Sequence, residues 1–121
     1  MGVILIADDD RVSRTILTGI LEELGHKVEE ATDGIQAVER CTTEHFDLVF
    51  MDIFMPEKDG LQAIKTLATE KPSLRIVPMS GGSTFTSNEP LKWAKRFGTT
   101  HVLAKPFNEA EVAQVVQELL G

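Results

Sequence analysis

Short apolar runs alternate with amphipathic segments along the whole chain. The apolar runs have the length and composition of buried strands, and they lie at 3–7, 27–31, 47–52, 75–80 and 100–104. The amphipathic segments have apolar residues at helical spacing, and they lie at 11–24, 33–44, 60–70, 90–98 and from 108 onward. The pattern therefore predicts five strand–helix pairs.

Turn and capping residues mark the ends of several of these helices. Gly25 follows the first helix and is typical of a C-terminal cap. Asp33 is placed to cap the second helix, and we expect that helix to be buried through Ile35, Val38 and Cys41. Asn108 is followed three residues later by Glu111, which is the pattern of a capping box that starts the last helix.

Regular alternation of strands and helices predicts an α/β fold, with one parallel sheet covered by helices on both faces. In such sheets, ligands bind at the carboxyl ends of the strands. Pro78 conflicts locally with this prediction, because proline cannot donate to the ladder and is unusual in a central strand. We expect a bulge or a small shift of the fourth strand to accommodate it.

Composition limits the class of protein. The 121 residues, 42% of them hydrophobic, suit one compact domain spanning 1–121. The net charge of −7 argues against direct nucleic-acid binding, which needs clustered Lys and Arg. The single cysteine, Cys41, fits a reducing compartment, and no apolar stretch is long enough to span a bilayer. We therefore expect a cytoplasmic protein without membrane insertion.

Polar residues end or follow four of the predicted strands, at the edge where parallel strands bring their carboxyl ends together. They are Asp8, Asp9, Asp52, Ser80 and Lys105. Each has a common structural explanation by itself: a helix cap for aspartate, a turn for serine and solvent exposure for lysine. Together they predict an acidic pocket with one hydroxyl and one cation. Adjacent carboxylates repel each other, so the pocket needs a compensating cation. Oxygen ligands favour a hard divalent ion, and Mg²⁺ is the usual one where phosphate is involved.

Five short motifs carry a resemblance to a known family. They are Ile-Ala-Asp-Asp-Asp (6–10), Leu-Val-Phe-Met-Asp-Ile-Phe-Met-Pro (48–56), Asp-Gly (59–60), Met-Ser-Gly (79–81) and Ala-Lys-Pro-Phe (104–107). In this order and at these separations, the chain resembles the response-regulator receiver domains of two-component signalling, in particular the single-domain chemotaxis type. The resemblance runs from residue 3 to about 120. It implies a flavodoxin-like, doubly wound (βα)5 parallel sheet with strand order 2-1-3-4-5.

The resemblance implies that Asp52 accepts a phosphoryl group from the phosphohistidine of a histidine kinase or a histidine phosphotransfer protein. It also implies that Asp8, Asp9 and Asp52, with the backbone carbonyl of Phe54, bind Mg²⁺ as the cofactor. Asp10 is one carboxylate more than these roles require, and we interpret it as a solvated residue of the first helical turn.

The resemblance further implies a conformational switch. Ser80 would hydrogen-bond a phosphoryl oxygen, while Lys105 would pair with Asp52 before transfer and with the phosphoryl group after it. The Lys105–Pro106 peptide bond is expected to be cis. Val102 stands where the family usually has an aromatic ring that swings inward, so this chain departs from the usual switch.

Output is expected through contact with a downstream protein target. The family often uses the face formed by the fourth helix, the fifth strand and the last helix for this purpose. Phe54 and Gly82 occupy positions that flank the phosphoryl group in this family, and neither can orient an attacking water. We therefore expect a phosphoacceptor with at most slow autodephosphorylation, not an enzyme that turns over a substrate. The sequence does not predict the oligomeric state.

Several alternatives stay open. A flavodoxin-type FMN carrier would share the fold, but it needs a phosphate-binding loop rich in Gly, Ser and Thr after the first strand. A phosphatase that turns over an aspartyl phosphate would usually have aspartates at both 52 and 54. The chain is also compatible with a receiver cut from a larger regulator or hybrid kinase, and with a docking module that works without phosphorylation.

Overall fold

The computed structural model describes residues 2–53, 60–81 and 101–121. Strands β1 to β5 span Val3–Ala7, Lys27–Ala31, Leu48–Asp52, Ile76–Gly81 and Leu103–Lys105. Helices α1 to α3 span Arg11–Glu23, Gly34–Thr43 and Gly60–Glu70, and the C-terminal helix spans Glu109–Leu120. The predicted boundaries agree with these to within about one residue, except at β5. The helix predicted at 90–98 lies outside the described residues.

The five strands form one parallel sheet in the order β2-β1-β3-β4-β5, which confirms the predicted topology. Every residue of the central strand β3 is buried. Such a strand is a near-continuous apolar run because helices cover both of its faces. The prediction for β5 was wrong at its start. Its ladder with β4 begins only at Leu103, so Val102 precedes the strand and does not belong to it.

Pro78 lies inside β4 in regular register with Met51 of β3. The Ile53 amide donates to the Met79 carbonyl over 3.0 Å, so odd-numbered residues of β4 direct their backbone polar groups toward β3. The Pro78 nitrogen therefore faces the other side, where pairing with β5 begins only at Met79. Because proline removes no hydrogen bond from the described ladder, the predicted bulge or shift is not needed.

Helices cover both faces of the sheet and bury two apolar clusters. One cluster joins α1 and the C-terminal helix to β1, and its members include Ile4, Ile6, Leu17, Leu21, Val112 and Val116. The other cluster joins α2 and α3 to the opposite face of β1, and its members include Leu5, Ala7, Ala37, Cys41, Ile64 and Leu67. This division follows from the two-residue period of a strand. Both clusters anchor β1 and β3, whose carboxyl ends carry the acidic residues.

The predicted helix caps are present. Asp33 accepts a hydrogen bond from the Gln36 amide over 2.8 Å, and Asn108 accepts one from the Glu111 amide over 2.8 Å. Gly25 has a φ of +94°, and the amides that follow α1 close back onto carbonyls of its last turn. This is the glycine-terminated helix end that the sequence predicts.

Some apolar side chains lie outside the core. Ile35 is 44% exposed, so the prediction that it buries α2 was wrong. Cys41 is buried as predicted and Val38 is half-buried, while Gly34 and Ala37 are buried in addition. Ile35 is turned about 100° away from Gly34 on the helix. Val12 and Ile16 of α1 are also exposed, at 64% and 50%.

Within the described ranges, no helix combines the length and apolar character needed to cross a membrane.

Candidate functional site

Asp8, Asp9 and Asp52 meet at the carboxyl edge of the sheet. Ala7 is in register with Met51, so the residue that follows β1 lies beside the last residue of β3. Each of the three side chains offers a carboxylate oxygen within 4.8 Å of the others. Asp8 is fully buried and Asp52 is 6% exposed, whereas Asp9 is exposed. Two neighbouring strand ends thus assemble the acidic pocket.

Lys105, the last residue of β5, reaches this cluster across the end of β4. Its Nζ donates to Asp8 Oδ2 over 2.6 Å and to Asp52 Oδ2 over 2.9 Å. Burial is the largest single influence on the pKa of Lys105 and acts to lower it. The hydrogen bonds to Asp8 and Asp52 and the charges of these two carboxylates together outweigh burial, so the pKa of Lys105 is raised above its usual value. Lysine is therefore held in its charged form between two carboxylates.

The contact of Lys105 with Asp52 is the one that the resemblance implies, but the shorter contact with Asp8 was not predicted. No local motif signals it, because residues 8 and 105 are 97 positions apart in the chain. Only the register of β1 against β3 places the two acceptor carboxylates close enough to share one ammonium.

Asp10 caps α1. Its Oδ1 accepts from the Val12 amide over 3.2 Å, and its Oδ2 accepts from the Ser13 hydroxyl over 2.9 Å. The Ser13 hydrogen bond is the main reason why the pKa of Asp10 is lowered. The Asp10 amide also donates to Asp8 Oδ1 over 2.9 Å. Asp10 is thus an exposed residue at the helix start, in agreement with the interpretation from sequence.

The donor set fits a hard divalent cation. All three side chains of the cluster offer oxygen, the ligand type that Mg²⁺ prefers. Within the described residues, Lys105 offers one ammonium to a cluster of three carboxylates, so acidic groups are in excess there. Because Asp9 is exposed, water can reach the cluster, and Mg²⁺ usually keeps several water ligands. The acidic cluster can therefore hold a magnesium ion. The carbonyl of Phe54, the further ligand expected from the resemblance, lies outside the described residues.

The predicted switch residues lie on or beside β4 and β5. Ser80 pairs through its backbone with Ala104, the neighbour of Lys105. Val102 is half-buried and directly precedes β5. The Lys105–Pro106 peptide bond is cis, as predicted.

Gly60, the first residue of α3, packs against the backbone of Asp52. A Cβ atom at position 60 would overlap the Asp52 carbonyl oxygen and lie 2.7 Å from Ile53 Cα. Any side chain there must displace α3 or the end of β3. Gly60 belongs to the Asp-Gly motif at 59–60, but the motif by itself does not indicate that this glycine contacts the backbone of Asp52.

A cavity of about 480 Å³ lies at the opposite end of the sheet. Its lining includes Gly2, His26 and Asp47, which lie near the amino ends of β1, β2 and β3. The acidic cluster lies at the carboxyl ends of the strands, so this cavity is not part of the site.

Comparison with known proteins agrees with this geometry. Residues 4–117 match the model of the response regulator receiver domain family. The chain therefore belongs to this family, whose members are phosphoacceptor domains of two-component response regulators. Among relatives, it is 33% identical over 120 residues to the response regulator receiver protein CpdR of Brucella abortus, covering 99% of this chain and 98% of that protein.

Longer relatives match over part of their length. The chain is 37% identical over 120 residues to the DNA-binding transcriptional regulator NtrC of Azospirillum brasilense, covering 99% of this chain and 24% of that protein. It spans between 24% and 33% of the length of several such transcriptional regulators, NtrC included.

Solved structures share the fold. The receiver domain of the Francisella response regulator 1452 superposes with a TM-score of 0.88 at 25% identity, covering 98% of this chain and 96% of that one. The chemotaxis response regulator CheY4 of Vibrio cholerae superposes with a TM-score of 0.85 at 28% identity, covering 98% of both chains. The chain is thus similar both to single-domain receivers and to the receiver parts of longer regulators.

Proposed function

We propose that this receiver takes a phosphoryl group onto Asp52 from a histidine kinase or a histidine phosphotransfer protein. Asp8, Asp9, Asp52 and the backbone carbonyl of Phe54 hold Mg²⁺ for this reaction. The observation that carries the proposal is the shared ammonium of Lys105, which lies 2.6 Å from Asp8 and 2.9 Å from Asp52, two of the three carboxylates of the acidic cluster.

Asp52 acts as the nucleophile in this proposal. A carboxylate oxygen of Asp52 forms a bond to phosphorus while the phosphorus–nitrogen bond of phosphohistidine breaks, and the imidazole leaves with the electron pair. Asp52 is nearly buried, so its carboxylate is positioned by the protein and not by bulk water. Lys105 orients that carboxylate before transfer and pairs with a phosphoryl oxygen afterwards. Bound Mg²⁺ supplies neutralisation of the negative charge on the phosphoryl oxygens.

The phosphorylated protein acts as a signal and not as a turnover enzyme. Phe54 and Gly82 lack any group that could orient a hydrolytic water, so the acyl phosphate decays slowly. Replacement of Phe54 by Asn should accelerate phosphate release. Equal release rates in the two proteins would contradict this part of the proposal.

Phosphorylation biases a two-state element near β4 and β5. Ser80 hydrogen-bonds the phosphoryl group, and Val102 and Pro106 take part in the rearrangement that follows. The short ladder of β5, which pairs with β4 over only three residues, supports this location for a mobile element. The output face then comprises the predicted helix at 90–98, β5 and the C-terminal helix, and its partner is a downstream protein.

The phosphodonor docks on the exposed apolar side of α1. Val12 and Ile16 lie one helical turn apart and are 64% and 50% exposed, next to the turn that carries the acids. Serine at both positions should slow transfer from a phosphorylated histidine phosphotransfer protein and leave transfer from acetyl phosphate unchanged. Ile35→Ser is the matched control, because Ile35 is similarly exposed at 44% but lies on α2, which covers the other face of the sheet.

Residues 1–121 form one receiver domain in this proposal, with the cytoplasm as its location. The free thiol of Cys41, whose pKa is raised to about 11 by burial, is consistent with a reducing compartment. Whether the domain acts alone or as the receiver of a longer regulator or hybrid kinase decides the identity of the downstream partner.

Incubation with acetyl phosphate and Mg²⁺, followed by mass spectrometry, tests the central claim. One added phosphoryl group is expected on Asp52 in the wild type and in Asp10→Asn, and none in Asp52→Ala. A modified Asp52→Ala protein would refute the assignment of Asp52. An unmodified wild type that also fails to respond to beryllium fluoride with Mg²⁺ would favour a docking module that works without phosphorylation.

A further inference from the structure

Arg14 connects the acidic turn to the edge of the sheet. Its Nη1 donates to the backbone carbonyl of Asp8 over 2.8 Å, and its Nε donates to Glu30 Oε1 over 3.0 Å. The Arg14 side chain is only 16% exposed, in contrast to the exposed Arg11 one turn earlier on the same helix. The guanidinium is therefore packed between α1, β2 and the end of β1.

With the hydrogen bond from Arg14, each polar group of Asp8 has a hydrogen-bond partner in the protein. The Asp8 amide donates to the Ala31 carbonyl over 3.1 Å, and its two carboxylate oxygens accept from the Asp10 amide and from Lys105. Only the carbonyl remains, and Arg14 binds it. That carbonyl belongs to the planar peptide group that joins Asp8 to Asp9. Because the peptide is planar, holding its oxygen also orients the nitrogen of Asp9.

We infer that Arg14 is a positioning residue for the metal site: by holding the Asp8–Asp9 peptide, it sets the relative directions of the two carboxylates. This inference rests on the proposed function, in which those two residues bind Mg²⁺. Arginine suits the role because its rigid fork donates to two acceptors at once, whereas lysine has no fork. Glu30 holds the guanidinium in place from the other side.

If Arg14 acted only through its charge, its removal would change the Mg²⁺ affinity in the opposite direction from that expected for a positioning residue. A cation near a metal site repels Mg²⁺, so its removal should strengthen binding by electrostatics. A positioning role predicts that removal weakens binding, since partners that orient metal ligands typically contribute about 10–100-fold to metal affinity. The sign of the change in affinity therefore separates the two roles.

The test measures Mg²⁺ dissociation constants by titration calorimetry for the wild type, Arg14→Gln, Arg14→Lys and Arg11→Gln. Arg14→Gln is expected to bind Mg²⁺ about ten-fold more weakly. Arg11→Gln removes the same charge from the same helix and should bind Mg²⁺ as tightly as the wild type or slightly more tightly. Arg14→Lys keeps the charge but loses the fork, and it should bind Mg²⁺ several-fold more weakly. Wild-type or stronger affinity in both Arg14 variants would overturn the inference.

A second measurement needs no metal. In Mg²⁺-free protein, the amides of Asp9 and Asp10 should exchange faster with solvent in both Arg14 variants than in Arg11→Gln, because the turn is less constrained. Unchanged exchange at both amides would also overturn the inference. If Arg14→Gln does not fold, Arg14→Lys carries the test alone. Absence of Mg²⁺ binding by the wild type would instead refute the proposed function, which distinguishes the two failures.

Discussion

Lys105 Nζ lies closer to Asp8 than to Asp52, at 2.6 Å against 2.9 Å. The ammonium therefore links the ends of β1 and β3 directly, although β5 is separated from β3 by β4. Asp9, the third member of the cluster, is exposed. In the part of the chain that the structure describes, three carboxylates thus share the one ammonium of Lys105, and the following two predictions depend on this excess of acidic groups.

Asp9→Asn should stabilise the protein without metal and lose that advantage in Mg²⁺. Removing one of three crowded carboxylates relieves repulsion, and we expect the melting temperature of metal-free protein to rise by about 3–6 °C. Saturating Mg²⁺ should stabilise the wild type more than the variant, because the variant lacks one ligand. Thermal unfolding followed by circular dichroism, with and without Mg²⁺, measures both effects.

Asp33→Asn is the control for this metal-dependent change in relative stability. It removes the same charge at the N-cap of α2, outside the cluster, and asparagine caps a helix as well as aspartate does. Its melting temperature should follow that of the wild type in both buffers. The prediction fails if Asp9→Asn also follows the wild type.

Lys105→Met should lower the free energy of unfolding, and the difference from the wild type should be largest at neutral pH. The raised pKa of Lys105 means that its contribution to folding is fully present below the usual lysine pKa and is lost as pH rises through the higher folded value. At pH 8 we expect a loss of about 1–3 kcal/mol, since two carboxylates lose the ammonium of Lys105 at a partly exposed site. Urea denaturation in metal-free buffer between pH 8 and 12 should show this difference shrinking above pH of about 10.5. A constant difference across that range would contradict the assigned coupling.

Gly60→Ala should destabilise the protein by about 1–3 kcal/mol or more, because the new methyl group overlaps the backbone of Asp52. Gly19→Ala is a matched control. Gly19 lies inside α1, and no atom of the described residues comes within 4 Å of a Cβ built there, so alanine should stabilise the helix by about 0.5–1 kcal/mol. Chemical denaturation measures both changes. Equal effects of the two substitutions would show that the close packing of α3 on Asp52 is wrong.

His26 should make stability depend on pH near neutrality. Its Nδ1 accepts a hydrogen bond from the Gly2 amide over 3.0 Å, which requires an unprotonated nitrogen. Burial is the main reason why the pKa of His26 is lowered, with the carboxylate of Asp47 acting in the opposite direction. The unfolded chain therefore takes up the proton first, and stability should fall as pH decreases below about 6.5.

The expected loss is about 0.5–1 kcal/mol between pH 7.5 and 5.5, the range for one hydrogen bond. His26→Asn keeps an acceptor oxygen but does not titrate, so its denaturation midpoint should change less over this window. The same slope in both proteins would assign the pH dependence to other groups.

Local patterns in the sequence predicted most of the fold. The apolar runs of β1 and β3, the caps at Asp33 and Asn108 and the glycine at position 25 each depend on a few neighbouring residues. Errors arose where a local pattern did not determine the environment. Ile35 has the right spacing for burial but faces away from the sheet, and the start of β5 depends on how far β4 can pair with it.

The sequence by itself determined the order of strands and helices and the presence of polar residues at the strand ends, because spacing and capping are short-range properties. The tertiary structure decided which polar atoms meet. Lys105 on Asp8, Arg14 on the Asp8 carbonyl and Gly60 against Asp52 all join residues from different elements. Their distances depend on strand register and helix packing, which the whole core sets at once.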